Sequence, residues 1–241
     1  MQNKEFLKGV KAATPIFLSY FSISITFGLI IKSFNLNGIL AILMSMTNFT
    51  GATQFISANM LVKNFSIFNI AITTFIINSR YFLMSFCISQ KMSKFKFIEK
   101  LLFSFGITDE IFVLATTQDK LSKSFLLGAQ LYSYFAWVLG TIVGIILADF
   151  IPIQIIEAAG ISIYIMYLTL LIPKITSNSK YLIAAIISIS FSIFFKYTPF
   201  INEMIGYFRI ILSIILSAII AAIIIPIEEN NYKMEEVINE Y

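Results

Sequence analysis

The chain has 241 residues, 58% of them hydrophobic and 12% charged, with a formal net charge of +4, no histidine and one cysteine. Soluble domains are roughly a quarter charged, so that class is excluded, and one cysteine excludes an intrachain disulfide. A pI near 9.0 would suggest a nucleic-acid partner for a soluble protein, but these lysines gather in short connections between apolar runs, the pattern that orients membrane proteins.

Lys4, Lys8 and Lys11 precede an uncharged run over 12–31. That run is long for a signal-peptide core and no small-residue cleavage pattern follows it, so it reads as a retained span. Further runs follow, several reaching the ~20 apolar residues that cross a bilayer. The predicted membrane segments are 12–33, 38–62, 66–90, 124–148, 152–172, 181–196 and 204–226. A shorter apolar element lies at 101–118. The fold class is all-α, a polytopic transmembrane helical bundle with interrupted or re-entrant segments. It forms a single integral membrane domain over 1–241, ending in an acidic tail at 227–241 that carries five glutamates.

The charges pose a topological problem. The N-terminal lysines and the loop 91–100, with Lys91, Lys94, Lys96 and Lys100, both favour the cytoplasmic side. Three full spans between them would place them on opposite sides. Either one element fails to cross or one charge cluster misleads; 38–62 is the candidate for not crossing, because "MSMTNFTGATQF" puts polar residues and a glycine at its centre. A re-entrant hairpin and a broken helix both satisfy the charges only if the freed backbone groups face protein or water.

A shift of 112 residues lays "YFSISITFGLI" (20–30) over "YSYFAWVLGTI" (132–142), pairing Tyr20 with Tyr132 and Gly28 with Gly140. A slightly smaller shift pairs Gly51 with Gly160. Repeat halves of about 12–118 and 124–226 would follow, each with an interrupted segment, which is the arrangement that marks midplane sites in transporters.

Three polar groups interrupt the apolar runs. Asn48, Gly51, Thr53 and Gln54 lie in "NFTGATQF", which reads either as an unwound, ligand-binding helix or as a polar helix–helix contact. Asn78 and Arg80 lie in "INSRYFLMS". An arginine at a helix centre costs about 3 kcal/mol to insert, so it should face the bundle and be paired. Its planar fork suits a carboxylate, from the protein or from a substrate. Asp109 and Glu110 follow Thr108, which could cap a helix whose first turn favours negative charge. Adjacent helical residues point about 100° apart, so one acid can meet Arg80 while the other serves as a proton- or ion-coupling group. Gly140 and Gly144, with Gly28, fit close helix packing. No catalytic constellation, metal-ligand cluster or cofactor motif is present.

Together "TPIFLSYFSISITFGLI", "FTGATQF", "NSRYFLMS" and "TDE" resemble, in order and spacing, the AzlC-type large subunit of two-component branched-chain amino acid exporters. "YSYFAWVLGTIVG" and "GISIYIMYLTLLIP" look like that family's downstream segments. The family pattern falls on Phe27 and Gly28, on Gly51, Gln54 and Phe55, on Asn78 and Arg80, and on Thr108, Asp109 and Glu110. Tyr81 departs from it, standing where a histidine is expected. The resemblance implies export of branched-chain amino acids through a bacterial cytoplasmic membrane, with a small AzlD-type membrane subunit as partner. A zwitterionic substrate would find Arg80 for its carboxylate, the 48–54 segment as further ligands, and Asp109 or Glu110 for its amine or for a proton. A channel-like or structural membrane subunit is the alternative, and an intramembrane enzyme using the two acids is a remoter one.

Overall fold

The computed structural model describes residues 2–93, 95–159, 178–198 and 208–224, with scattered positions from 161 to 176. Every regular element among them is a helix: α1 (Gln2–Ala12), α2 (Thr14–Ser33), α3 (Gly38–Thr47), α4 (Gly51–Val62), α5 (Ile67–Lys91), α6 (Phe97–Phe105), α7 (Asp109–Thr116), α8 (Lys123–Leu147), α9 (Ile153–Ala159), α10 (Ser179–Tyr197) and α11 (Phe208–Ile224). Helices α2, α5, α8 and α10 are long and apolar enough to cross a membrane. The chain forms two compact units, Met1–Met166 and Tyr167–Tyr241. In the second, α10 packs on α11 and Ser192 shares a hydrogen bond with Ser213 at 2.9 Å. Gly160 and the tail 227–241 lie outside the described residues.

The local sequence accounts for the ends of these helices. Pro15 sits in the first turn of α2, where its missing N–H costs nothing. The side chains of Asn37, Ser66 and Ser122 cap α3, α5 and α8 by accepting main-chain N–H bonds. Helices α2 and α4 close alike. Asn35 and Asn64 adopt left-handed φ of 55° and 56°, and the next residues reach back, Leu36 N to Ile31 O and Phe65 N to Met60 O. Both are Schellman motifs with asparagine in the glycine position.

The first unit is built on α1, α2 and α8. Helices α2 and α8 run parallel, because α1 meets the start of α8 while Lys32, ending α2, pairs with Asp149 beyond the end of α8 at 3.2 Å. Small residues bring the backbones together. A Cβ on Gly28 would overlap the Thr141 carbonyl oxygen, one on Gly140 the Ser24 hydroxyl, and one on Gly144 the Ile25 carbonyl oxygen. Gly9 and Gly128 extend this seam into α1, lying against Phe125 and Phe6 main chain. The sequence reading passed over α1 because its lysines look like a flank; they lie on one side of an amphipathic helix.

The end contacts also resolve the topology. Glu99 at the start of α6 pairs with Lys123 at the start of α8 (2.6 Å). Lys100 reaches Ser89 O near the end of α5 (3.3 Å), and Lys91 reaches Thr116 O and Gln118 O beyond α7 (2.5 and 2.8 Å). The end of α5, the start of α6, the end of α7 and the start of α8 therefore share one face of the unit. Helices α6 and α7 enter and leave from that face as a re-entrant pair. Since α2 ends at the opposite face and α5 must begin there, α3 and α4 also form a re-entrant pair, joined across by Gln54 Nε2 to Ser45 Oγ at 2.8 Å. The segment 101–118, expected as one short element, is two half-helices separated at Gly106–Thr108.

This arrangement puts α1 and the lysines of the 91–100 loop on the same side, as their charges require. That side carries Lys4, Lys8, Lys11, Lys91, Lys96, Lys100, Lys120 and Lys123, against Lys32 and Lys63 opposite, and the positive-inside rule makes it cytoplasmic. The outward side of α5 exposes Phe75, Phe82 and Phe86, as a helix facing hydrocarbon should.

Two outcomes follow. On a Cys87→Ser background, Lys63→Cys and Asp119→Cys should label with a membrane-impermeant thiol reagent from opposite faces of oriented vesicles; labelling from one face would mean that α6–α7 crosses. Gly144→Val, which has no room in the α2–α8 seam, should lower stability in detergent by about 2 kcal/mol, and an unchanged melting temperature would show the seam to be loose.

Candidate functional site

The two hairpin tips meet between the faces. The first, 48–50, is held by a tight turn in which Thr50 N donates to Asn48 O at 2.7 Å. The Asn48 side chain donates to Thr53 Oγ1 (3.0 Å) and accepts from Asn78 Nδ2 on α5 (3.2 Å). The second tip is tied to α8, where Gln130 Nε2 donates to Phe103 O at 2.7 Å. A Cβ at Gly106 would press on the Gln130 side chain and displace it. Ile107 drops into a buried cluster with Ile88, Met92, Ile111 and Leu126.

A cavity of about 20 Å³, room for a single water-sized molecule, opens at the tips, walled by Tyr20, Phe49–Ala52, Arg80, Tyr81, Thr108–Glu110 and Trp137. The N-termini of α4 and α7 both end on it, each bringing a partial positive charge and main-chain N–H groups without intrahelical partners. The first turn of α4 has no acidic residue, whereas that of α7 begins with Asp109 and Glu110.

The two acids have separate partners. Asp109 Oδ2 lies 2.9 Å from Arg80 Nη1, both side chains part-exposed. Glu110 instead takes a hydrogen bond from the Tyr20 hydroxyl, and among the described residues no cation lies within ion-pair distance of it. The Tyr20 oxygen is also 2.7 Å from Thr108 Oγ1; with one phenolic proton given to the carboxylate, it accepts from the threonine. Thr108 occupies the N-cap position of α7, but its side chain makes no capping bond. Tyr20 has taken it over. Arg80 further donates to the Tyr81 hydroxyl (3.1 Å) and lies 4.8 Å from its ring centroid.

The remaining candidates are placed as follows. Gly51 lines the cavity with Arg80, Asp109 and Glu110. Thr53 and Gln54 are wholly buried behind it. Thr53 bonds Asn48, and Gln54 accepts from Trp137 Nε1 at 2.7 Å while donating to Ser45; both support the tip from behind. Asn48 and Asn78 line an adjoining chamber. Gly28, Gly140 and Gly144 lie in the α2–α8 seam, away from the site. Apart from Tyr81, singled out where a histidine is expected, the lining aromatics Tyr20, Phe49 and Trp137 are lost among 37 in the chain. Tyr20 and Trp137 both sit in the segments that the 112-residue shift superposes, which was the available signal. Among the described residues no group of three or more His, Cys, Asp or Glu side chains could hold a metal ion.

The Arg80–Asp109 pair can be tested by a double-mutant comparison. Arg80→Ala should cost about 2 kcal/mol in detergent, between the values for exposed and fully buried pairs, because it strands a carboxylate at mid-depth. Adding Asp109→Ala should recover part of that loss; strictly additive losses would show the two side chains to be uncoupled.

The family model described as AzlC protein matches residues 15–151. An uncharacterized membrane protein of Archaeoglobus fulgidus is 31% identical over 70% of this chain and 76% of its own length. Inner membrane protein YgaZ of Escherichia coli is 29% identical over 58% of this chain and 59% of its own. The branched-chain amino acid transport protein AzlC of Bacillus subtilis is 27% identical over 57% of this chain and 55% of its own. No solved structure matches. The matched region contains both hairpins and every residue lining the cavity, and the chain belongs to the AzlC family.

Proposed function

We propose that this chain is the large subunit of a secondary transporter that exports small apolar amino acids, branched-chain ones foremost, across a bacterial cytoplasmic membrane. The observation that carries this reading is the juxtaposition, in one mid-depth cavity, of Arg80, two half-helix N-termini and two carboxylates. A zwitterion needs one group of each sign. Its carboxylate fits the bare N-terminus of α4 and the Arg80 guanidinium, where it would displace Asp109. Its ammonium fits the released Asp109 or Glu110. Phe49, Ala52, Trp137 and the Tyr20 ring supply an apolar wall. The printed name of the Bacillus subtilis relative supports the same substrate class.

Proton coupling is assigned to Glu110, because Asp109 is already neutralised by Arg80 while Glu110 takes its side-chain hydrogen bond from the neutral Tyr20 hydroxyl. A small AzlD-type membrane subunit is the proposed partner. A channel-like or structural subunit would keep the Arg80–Asp109 pair closed permanently, so exchange is the discriminating property.

Isoleucine flux from proteoliposomes tests these roles. The native protein should show trans-stimulation, and Arg80→Ala should lose it by about 100-fold, the effect of removing one charge-assisted anchor. Trans-stimulation that survives Arg80→Ala removes the anchor, while its absence from the native protein, with and without the small subunit, favours the channel or scaffold. Glu110→Gln should flatten the pH dependence of flux and Asp109→Asn should keep it; the reverse result moves the coupling role to Asp109.

A further inference from the structure

A second chamber of about 190 Å³ adjoins the charged cavity, walled by Thr47–Thr50, Asn78, Tyr81, Ser104, Phe105, Ile107 and Thr108. It contains no charged side chain. Phe49, Thr50, Tyr81 and Thr108 line both spaces and form the septum between them. On the uncharged side, Asn78 Oδ1 is buried without a hydrogen-bond partner. A buried acceptor left open is costly, so it marks a place where a passing donor or water is taken up.

The four septum residues differ in how firmly they are held. Thr50 and Thr108 are N-cap residues whose backbones are fixed by the tips. Phe49 is 5% exposed and packs edge-on against Tyr20, Tyr134 and Trp137 at centroid distances of 5.7, 5.4 and 6.4 Å, and stacked on Phe105 at 6.3 Å. Tyr81 has no aromatic neighbour of that kind among the described contacts. Its ring lies beneath the Arg80 guanidinium and its hydroxyl accepts from Arg80 Nη2. Arg80 is the group that a ligand carboxylate would draw away.

We propose that Tyr81 is the inner gate, a movable partition that divides one path into a charged and an uncharged station and is latched by Arg80. Closed, the side chain seals the septum while Arg80 holds both Asp109 and the phenol. When an anionic group in the charged cavity takes the guanidinium, the phenol loses its donor and its ring loses its cation, and rotation about two torsions opens the way to Asn78. The gate's purpose rests on the transport reading; the barrier itself does not, and is read without any substrate.

Thiol labelling in vesicles tests the barrier on a Cys87→Ser background. Ser104→Cys reports the uncharged chamber and Ala52→Cys the charged one. From the vesicle face that labels Ser104→Cys, a small hydrophilic reagent should reach Ala52→Cys about tenfold faster or more in Tyr81→Ala than with Tyr81 present, the effect of removing one hydrogen bond to a charged group. Tyr81→Leu should do the same if the alanine variant does not fold, and Tyr81→Phe, which keeps the ring, should fall between. Equal Ala52→Cys rates in all these backgrounds, or a Ser104→Cys site that no face can label, overturn the gate. Loss of isoleucine counterflow with the labelling pattern intact would sink the transport reading and leave the gate standing.

Discussion

A helix interrupted in hydrocarbon must hand its freed amides and carbonyls to protein, because lipid offers no partner. That constraint organises the first unit of this chain. Two interruptions, at Asn48–Thr50 and Gly106–Thr108, face one another between the membrane surfaces, and a set of polar side chains from the surrounding helices serves one or the other. Asn48, Thr53, Asn78, Gln54 and Trp137 support the first tip; Tyr20 and Gln130 support the second. The cavity is what these supports leave open, and two half-helix N-termini end on it.

The tips can be presented only by a rigid frame. The close parallel approach of α2 and α8, with no Cβ at Gly28, Gly140 or Gly144, fixes Tyr20 opposite Trp137, their rings edge-to-face at 5.4 Å. These two aromatics reach the tips from one side, while α5 supplies Arg80 and Tyr81. The packing glycines therefore lie away from the cavity yet set its walls, a link between seam and site that spacing does not reveal.

Much of the architecture was legible in the sequence. Apolar runs marked α2, α5, α8 and α10 to within a few residues, and the conflict between two lysine clusters pointed to an element that fails to cross. That argument could find an odd number of failures but could not place a second hairpin, since 101–118 lies beyond the lysine loop and its crossing does not alter the parity. The split between Asp109 and Glu110 followed from helical geometry. The identity of the second acid's partner did not, because nothing in one sequence relates Tyr20 to a residue 90 positions away. Thr53 and Gln54 show the converse. Polar residues in an apolar run announce an interruption, but side chains such as these serve the structure behind it, and position around a half-helix decides which ones face the cavity.

The central claim is that the cavity recognises both charges of an amino acid. The most direct test is binding of L-isoleucine to the purified protein, compared with its amide, which lacks the carboxylate, and its 2-oxo acid, which lacks the ammonium. The account predicts saturable binding of isoleucine and loss of binding by both analogues, since each leaves a fixed charge of the site unanswered. Equal affinity for the amide would contradict it, because Arg80 and the α4 N-terminus would then be holding nothing.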